Sequence, residues 1–198
     1  MKIKNLFEDS DQEKIRWFVD NSTFGPDQFT IKNGLVSCEG FNFSLFCQEI
    51  KYPMGKVDHL GFMDGITSTK NWPTEANSID AGGQSLTSIG TQAIRCHGAL
   101  NIANNKIKSF KNIHKIVSCA NFCGYNNPLE DSALGILLIP GLKIVQTYRE
   151  DEIHKDQKKT RGNEAIIIIA KYVGKGKAGM IDCQSELIEN DLEDFAKL

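Results

Sequence analysis

Two cysteine–histidine groupings and two charged runs are the residues whose types and spacing could do chemistry. Cys96 is followed directly by His97, and Cys119 and Cys123 stand four apart with His114 five residues upstream. Thiolate and imidazole side chains bind zinc, but structural zinc sites pair their cysteines more closely, typically as C-x₂-C. The C-x₃-C here does not meet that spacing, and no metal ligand is assigned. A thiol beside an imidazole is also the nucleophile and base of covalent catalysis. That chemistry needs the base within hydrogen-bond reach and donors for a developing oxyanion. The sequence supplies no such donors, so no catalytic residue and no cofactor is assigned.

The run Glu150-Asp151-Glu152 beside His154 and Lys155 has the residue types of a metal-dependent nuclease. It lies in a charged stretch without flanking strand patterns and reads as a solvated loop over 148–162. Lys158-Lys159-Thr160-Arg161 would touch phosphate only weakly and in a salt-sensitive way. Gly174-Lys175-Gly176-Lys177 lacks phosphate-loop spacing and follows an apolar helix, so it reads as a connector.

Composition narrows the field further. Twenty-three basic against 25 acidic residues leave a net charge of -2, which argues against a binder that neutralises many phosphates. The longest apolar run, Ala165 to Ala170, is far short of a membrane span. The first residues, Met1-Lys2-Ile3-Lys4-Asn5, run into Glu8-Asp9 without the pattern of an export leader. The six cysteines are therefore expected to be reduced thiols in a cytoplasm.

The elements that must position any site begin with a helix over 11–19. Ser10 and Glu13 form a capping box, and Ile15, Phe18 and Val19 share a face. Phe29 to Lys32 and Leu35 to Cys38 flank Asn33-Gly34, the pair a type I′ hairpin turn wants.

The middle of the chain repeats. Leu100-Asn101-Ile102-Ala103-Asn104-Asn105-Lys106-Ile107 reads L-x-L-x-x-N-x-L with Ile allowed for Leu, the second half of a leucine-rich-repeat unit. The frame recurs over 43–50, 59–66, 79–86 and 122–129. Its closing apolar residues Ile50, Ile66, Leu86, Ile107 and Leu129 are spaced by 16, 20, 21 and 22. Asp64, Gln84, Asn105 and Asn127 take the amide-type slot, where a side chain satisfies backbone groups at the bend. Ser68, Ser88 and Ser109 follow at one offset. Such coils bury their apolar faces only by stacking, with Ile79, Leu100 and Phe122 one above another and capped ends. In this frame the cysteines serve as small core hydrophobes, and His59 fills a core-type slot.

Beyond Leu129 the apolar stretch 132–139 is expected to be a short helix ending before Pro140, followed by a strand over 142–145. Residues 165–173 predict a helix buried on the coils. Residues 180–190 and 191–198 predict two short helices, with Ile181, Leu187 and Ile188 inward in the first. The expected fold is α/β: a short leucine-rich-repeat-like β-solenoid over 42–146. A helix-and-hairpin cap over 1–41 precedes it, and a charged loop and helical cap over 147–198 follow.

The repeat core, through Leu86-Thr87-Ser88-Ile89 and Phe122 with Asn127-Pro128-Leu129, resembles the short leucine-rich-repeat-like coils of tailed, T-even-type bacteriophages. The ending, Asp182 to Ile188 and Leu192 to Leu198, is similar to the terminal helices of such proteins. The resemblance implies a protein that acts by binding a host protein in the host cytoplasm, including an anti-defence factor that inhibits a host enzyme or toxin. The short apolar run and the balanced charge, read above, leave no membrane as partner and argue against nucleic acid. A processing enzyme acting on nucleotides or nucleic acid, and a structural or accessory phage component, stay open as alternatives.

In this frame, residues four and six before each closing position project from the sheet. The expected partner-binding residues are Phe46, Leu60, Phe62, Asp80, Asn101 and Tyr125, an exposed row of apolar anchors and polar groups. The competing reading is that helices fold over this face and bury it.

Overall fold

The structure, a computed structural model, describes residues 10–147 and 160–198. The greater part of the expected charged loop, 148–159, lies outside the described residues. Helix α1 (Asp11–Asp20) starts at the expected capping box. The Ser10 hydroxyl accepts from the Glu13 amide at 3.2 Å, and the Glu13 carboxylate accepts from the Ser10 amide at 2.7 Å. Both satisfy amides that a helix start leaves unpaired. Phe18 is its buried anchor, 5.6 Å from the Phe29 ring.

Asn33 (φ 54°) and Gly34 (φ 77°) turn β1 (Thr30–Lys32) back onto β2 (Leu35–Leu45) as the sequence predicts. From β2 onward every strand runs parallel to its neighbour: β3 (Met54–Phe62), β4 (Glu75–Asp80), β5 (Ile94–Asn101), β6 (Val117–Cys123) and β7 (Ile144–Gln146). The seven strands lie in chain order. A parallel neighbour requires a crossover. Here the crossovers are mostly irregular coil, with a short helix α2 (Ile113–Ile116) before β6 and a 3-10 turn before β7, so the chain winds as a β-solenoid.

Two interior rows run through the coils. One joins Cys38, Val57, Ala76, Cys96 and Cys119; the other joins Phe43, Leu60, Ile79, Leu100, Phe122 and Val145. Every member of both rows is buried. Ile79, Leu100 and Phe122 therefore share one interior, as the repeat frame requires. Between the rows β2 to β6 each turn two or more residues outward, and the β2–β3, β4–β5 and β5–β6 ladders shift register there. At Gly98, in one such irregularity, a Cβ would sit 2.7 Å from the Asn77 carbonyl oxygen. Glycine lets β5 approach β4 at that point.

The amide-type slot works as the sequence suggested. Asn105 Nδ2 donates to the carbonyls of Ala81 (2.8 Å), Ile102 and Ala103 (3.1 Å each), and its Oδ1 accepts from the Leu86 amide at 2.9 Å. Asn127 does the same one coil on, accepting from the Ile107 amide and donating to Ile102 and Gly124 carbonyls. Gln84 serves the preceding coil, where it accepts from the Gly65 and Ile66 amides. Asp64, expected in the same role, is exposed.

The C-terminal region differs from expectation in detail. Residues 132–139 form a 3-10 turn over Leu134–Leu138, and the last strand is Ile144–Gln146. Helix α3 (Arg161–Ala170) starts earlier than expected, capped by Thr160, and buries Ala165, Ile166, Ile168 and Ile169. Helix α4 (Gly176–Glu189) begins within the expected connector. Residues 191–198 are a turn, whose Asp194 and Phe195 carbonyls accept from the Ser132, Ala133 and Leu134 amides. Ile181 and Ile188 were expected inward. They are 55% and 54% exposed, because α4 packs through Gly179, Cys183 and Leu187 at four-residue spacing. No described helix is long and apolar enough to cross a membrane.

Candidate functional site

The strand register decides which side chains leave the sheet. Phe43 pairs with Leu60, and Leu60 with Ile79, so Leu60 belongs to the interior row. The repeat frame had put His59 there. Coil 60–66 spans one residue fewer between its first and closing apolar positions than coils 79–86 and 100–107. A one-residue slip exchanges the two faces of a strand. Leu60 (0% exposed) and Phe62 (5%) are consequently core residues, and their assignment to the outer surface is corrected. Phe62 stacks on Trp72 with ring centroids 5.1 Å apart.

The residues that take the outward places are Gly61 and Met63, which the sequence frame missed. Gly61 stands in register between Ser44 and Asp80, and the row continues through Asn101 to Cys123. Two residues on, at the strand ends, lie Phe46, Met63, Gly82, Ala103 and Tyr125. The Met63 amide donates to the Leu45 carbonyl, as expected for the next step of the same ladder. Phe46 (39% exposed) and Met63 (62%) are exposed, Tyr125 is half-buried, and Ala103 is buried. Of the six residues expected to bind a partner, Phe46, Asp80, Asn101 and Tyr125 lie along this ledge, and Leu60 and Phe62 do not.

Asp80 and Asn101 form its polar centre. Asn101 Nδ2 donates to Asp80 Oδ1 at 2.8 Å, and the Gly82 amide donates to the same oxygen at 3.0 Å. The Ala103 amide donates to Asn101 Oδ1 at 3.0 Å. Each side chain is tied to the backbone two residues ahead, which is the local bond that Asp and Asn make best. Both groups thus lose little rotamer freedom if a partner contacts them.

Nearer the strand starts the outer face is charged. Lys56, Glu75, Arg95 and Ser118 stand in register. Glu75 contacts His97 Nε2 at 3.0 Å and Lys56 Nζ at 3.5 Å, and the His97 hydrogen bond, followed by Lys56, holds its carboxyl below the usual range. Asn77 donates to Asp58, which also accepts from the Gly40 amide. An open cleft of about 500 Å³ lies beside this row, lined by Glu75, Gln92, Arg95, His114 and Ser118 among others.

The chain matches no protein-family model, no curated protein and no solved structure.

The cysteine–histidine groupings do not converge. Cys96 points into the core while His97, its chain neighbour, bonds Glu75 on the surface. Cys119 lies on the first interior row, and Cys123 lies on the outer row, where it is hydrogen-bonded to Tyr125. Burial pushes the Cys96 and Cys119 thiols up to about 12 and that of Cys123 to about 11. A thiol held that high is not a nucleophile near neutrality. Among the described residues no three His, Cys, Asp or Glu side chains gather as a metal site. The expected result of titrating native protein with a disulfide reagent at pH 8 is prompt reaction at Cys47 at most, which is half-buried, with all six thiols reacting only in denaturant. Prompt reaction of Cys96 or Cys119 in folded protein, mapped by peptide mass, would contradict their interior placement.

Proposed function

We propose that this protein is a non-catalytic binding module that grips another protein along the strand-end ledge. Phe46, Met63 and Tyr125 are the apolar anchors and Asp80 with Asn101 the polar centre. The observation that carries the reading is the Asp80–Asn101 pair, buttressed by two backbone amides and flanked by exposed apolar side chains. Rigid polar groups beside apolar anchors are what a specific interface needs: the anchors supply affinity and the polar groups fix register. The repeat resemblance makes the partner a host protein met in the host cytoplasm. Covering a surface of a defence enzyme or toxin would inhibit it sterically, without turnover.

The test is capture from bacterial extract on immobilised protein, followed by a titration with the purified partner. Phe46→Ala with Met63→Ala is expected to weaken binding by about 2 kcal/mol or more, roughly thirtyfold. Asp80→Ala is expected to weaken it about tenfold, and Lys70→Ala, on an exposed loop, to leave it unchanged. Equal binding by all three variants, each shown to be folded, removes the ledge from consideration.

The second reading, an enzyme acting on a small anionic substrate, draws on the cleft that holds Arg95, Gln92 and His114. Turnover abolished by Arg95→Ala with the fold intact would favour it over the binding module.

A further inference from the structure

The cleft at the strand starts holds donors and acceptors that the fold leaves unspent. Arg95 and Lys115 line it together with His114, Gln92, Ser118 and Thr74. Glu75 stands beside Arg95 in register, but its carboxylate is held by His97 and Lys56 instead. Arg95 and Lys115 are both exposed, and among the described residues neither side chain has an ion-pair or hydrogen-bond partner. His114 adds an Nδ1 that is buried without a hydrogen-bond partner. The crossover 102–116, which reaches this cleft at its end, carries Lys106, Lys108, Lys111, His114 and Lys115 and no acidic residue. Among the described residues only Lys108 of its lysines has an ion-pair partner, Glu130 at 2.8 Å. Unneutralised charge of one sign beside a concave wall draws ions of the other sign to it.

The remaining walls present acceptors. The Gln92 amide donates to the Trp72 carbonyl, the Ser118 hydroxyl to the Pro140 carbonyl and the Thr74 hydroxyl to the Gly55 carbonyl. Both hydroxyls have thereby spent their one proton and keep oxygen lone pairs, as Gln92 keeps its Oε1. Ile116 and Pro140 add apolar surface. A ligand that satisfies these walls carries negative charge and hydroxyl donors on a small carbon frame. We infer that the cleft binds a small phosphorylated polyol of the sugar-phosphate class. Its phosphate contacts Arg95 and Lys115, and its hydroxyls donate to Gln92, Ser118 and Thr74. The guanidinium fork suits two phosphate oxygens at once, and the lysine supplies a point charge. Inorganic phosphate, or an acidic side chain of a partner protein, meets the cations but leaves the three acceptors unmet. The cleft's volume of about 500 Å³ falls in the range of small-molecule sites, roughly 300–1,000 Å³. The inference rests on the cleft of the second reading and names what it takes; it requires binding, not turnover.

Isothermal titration calorimetry of the full chain at about 50 mM salt measures the outcome, because such contacts are screened as salt rises. The titrants are ribose 5-phosphate, butyl phosphate, inorganic phosphate and ribose. Ribose 5-phosphate is expected to fill one site per chain, at least about fivefold more tightly than butyl phosphate or inorganic phosphate. Ribose is expected to give no measurable binding. Arg95→Gln and Lys115→Gln are each expected to weaken ribose 5-phosphate by about fivefold or more, with thermal midpoints unchanged because both side chains are exposed. Phe46→Ala with Met63→Ala, which tests the ledge, is expected to leave this affinity unchanged, so failure of either reading leaves the other standing. Saturable binding without consumption of the phosphate ester counts for the inference and against turnover. The absence of saturable binding overturns it. So does equal affinity for ribose 5-phosphate and inorganic phosphate, or an affinity that survives the Arg95→Gln, Lys115→Gln double variant.

Discussion

Asn105→Ala is expected to cost about 3–5 kcal/mol of folding stability, a large share of the 5–15 kcal/mol typical of a whole domain. The side chain is buried, 6% exposed, and it joins two coils. Its Nδ2 reaches the Ala81 carbonyl in the preceding coil and the Ile102 and Ala103 carbonyls in its own, while its Oδ1 holds the Leu86 amide. Alanine leaves the Leu86 amide and at least one carbonyl without a partner, and each buried unsatisfied group costs about 1–3 kcal/mol. Leucine at the same position fills the space but restores no bond, so it is expected to be no better. Asn127→Ala removes the equivalent bonds one coil on and is expected to fall in the same range. Lys106→Ala, next to Asn105 but exposed, is expected to change stability by less than about 0.5 kcal/mol. Urea denaturation with an unchanged slope is the measurement. A cost below about 1 kcal/mol for Asn105→Ala would mean that water replaces the amide and that coil stacking does not depend on this slot.

The residues that were legible in the sequence are those whose local chemistry has one solution. Ser10 with Glu13 can close a capping box only at a helix start, and Asn33-Gly34 accepts the two left-handed conformations of a tight hairpin. Asn105 and Asn127 stand at a fixed distance from the residues they serve, so their repeat was visible without coordinates. Three things were not legible, each for a physical reason. The earlier interior row, from Cys38 to Cys119, lies outside the repeat signature, which begins at the second row. The exposed isoleucines of α4 looked like core residues because composition cannot say which of two apolar faces meets the body. The face that meets the body is the one carrying Gly179, Cys183 and Leu187. The ledge was half legible: Asp80, Asn101, Phe46 and Tyr125 followed from the frame, but Met63 was hidden by the one-residue deficit between Leu60 and Ile66. In His59-Leu60-Gly61-Phe62-Met63 both phases carry apolar residues, and only the ladder to Phe43 and Ile79 chooses between them.

That choice of phase carries the second large prediction. Leu60→Ala is expected to destabilise the fold by about 2–5 kcal/mol and Phe62→Ala by about 3–5 kcal/mol, the ranges for emptying a packed core site. Leu60 is fully enclosed by its row, and Phe62 lies against the buried Trp72 ring, so neither gap can close without moving the next coil. The two sites share a strand and an interior, and the double variant is expected to leave a substantial unfolded fraction at 37 °C. The opposite phase should behave differently. His59→Ala loses a hydrogen bond to Ser78 on a part-exposed surface and is expected to cost no more than about 1 kcal/mol. Met63→Ala, 62% exposed, is expected to leave stability within about 0.5 kcal/mol while weakening capture of a partner. Any loss of partner binding in Phe62→Ala must therefore follow the fraction unfolded, whereas in Met63→Ala it must appear with the fold intact. Thermal midpoints and binding titrations of these four variants separate the two faces of β3. Equal destabilisation by His59→Ala and Leu60→Ala would mean that the strand sits in the other register, and would return Phe62 to the surface in place of Met63.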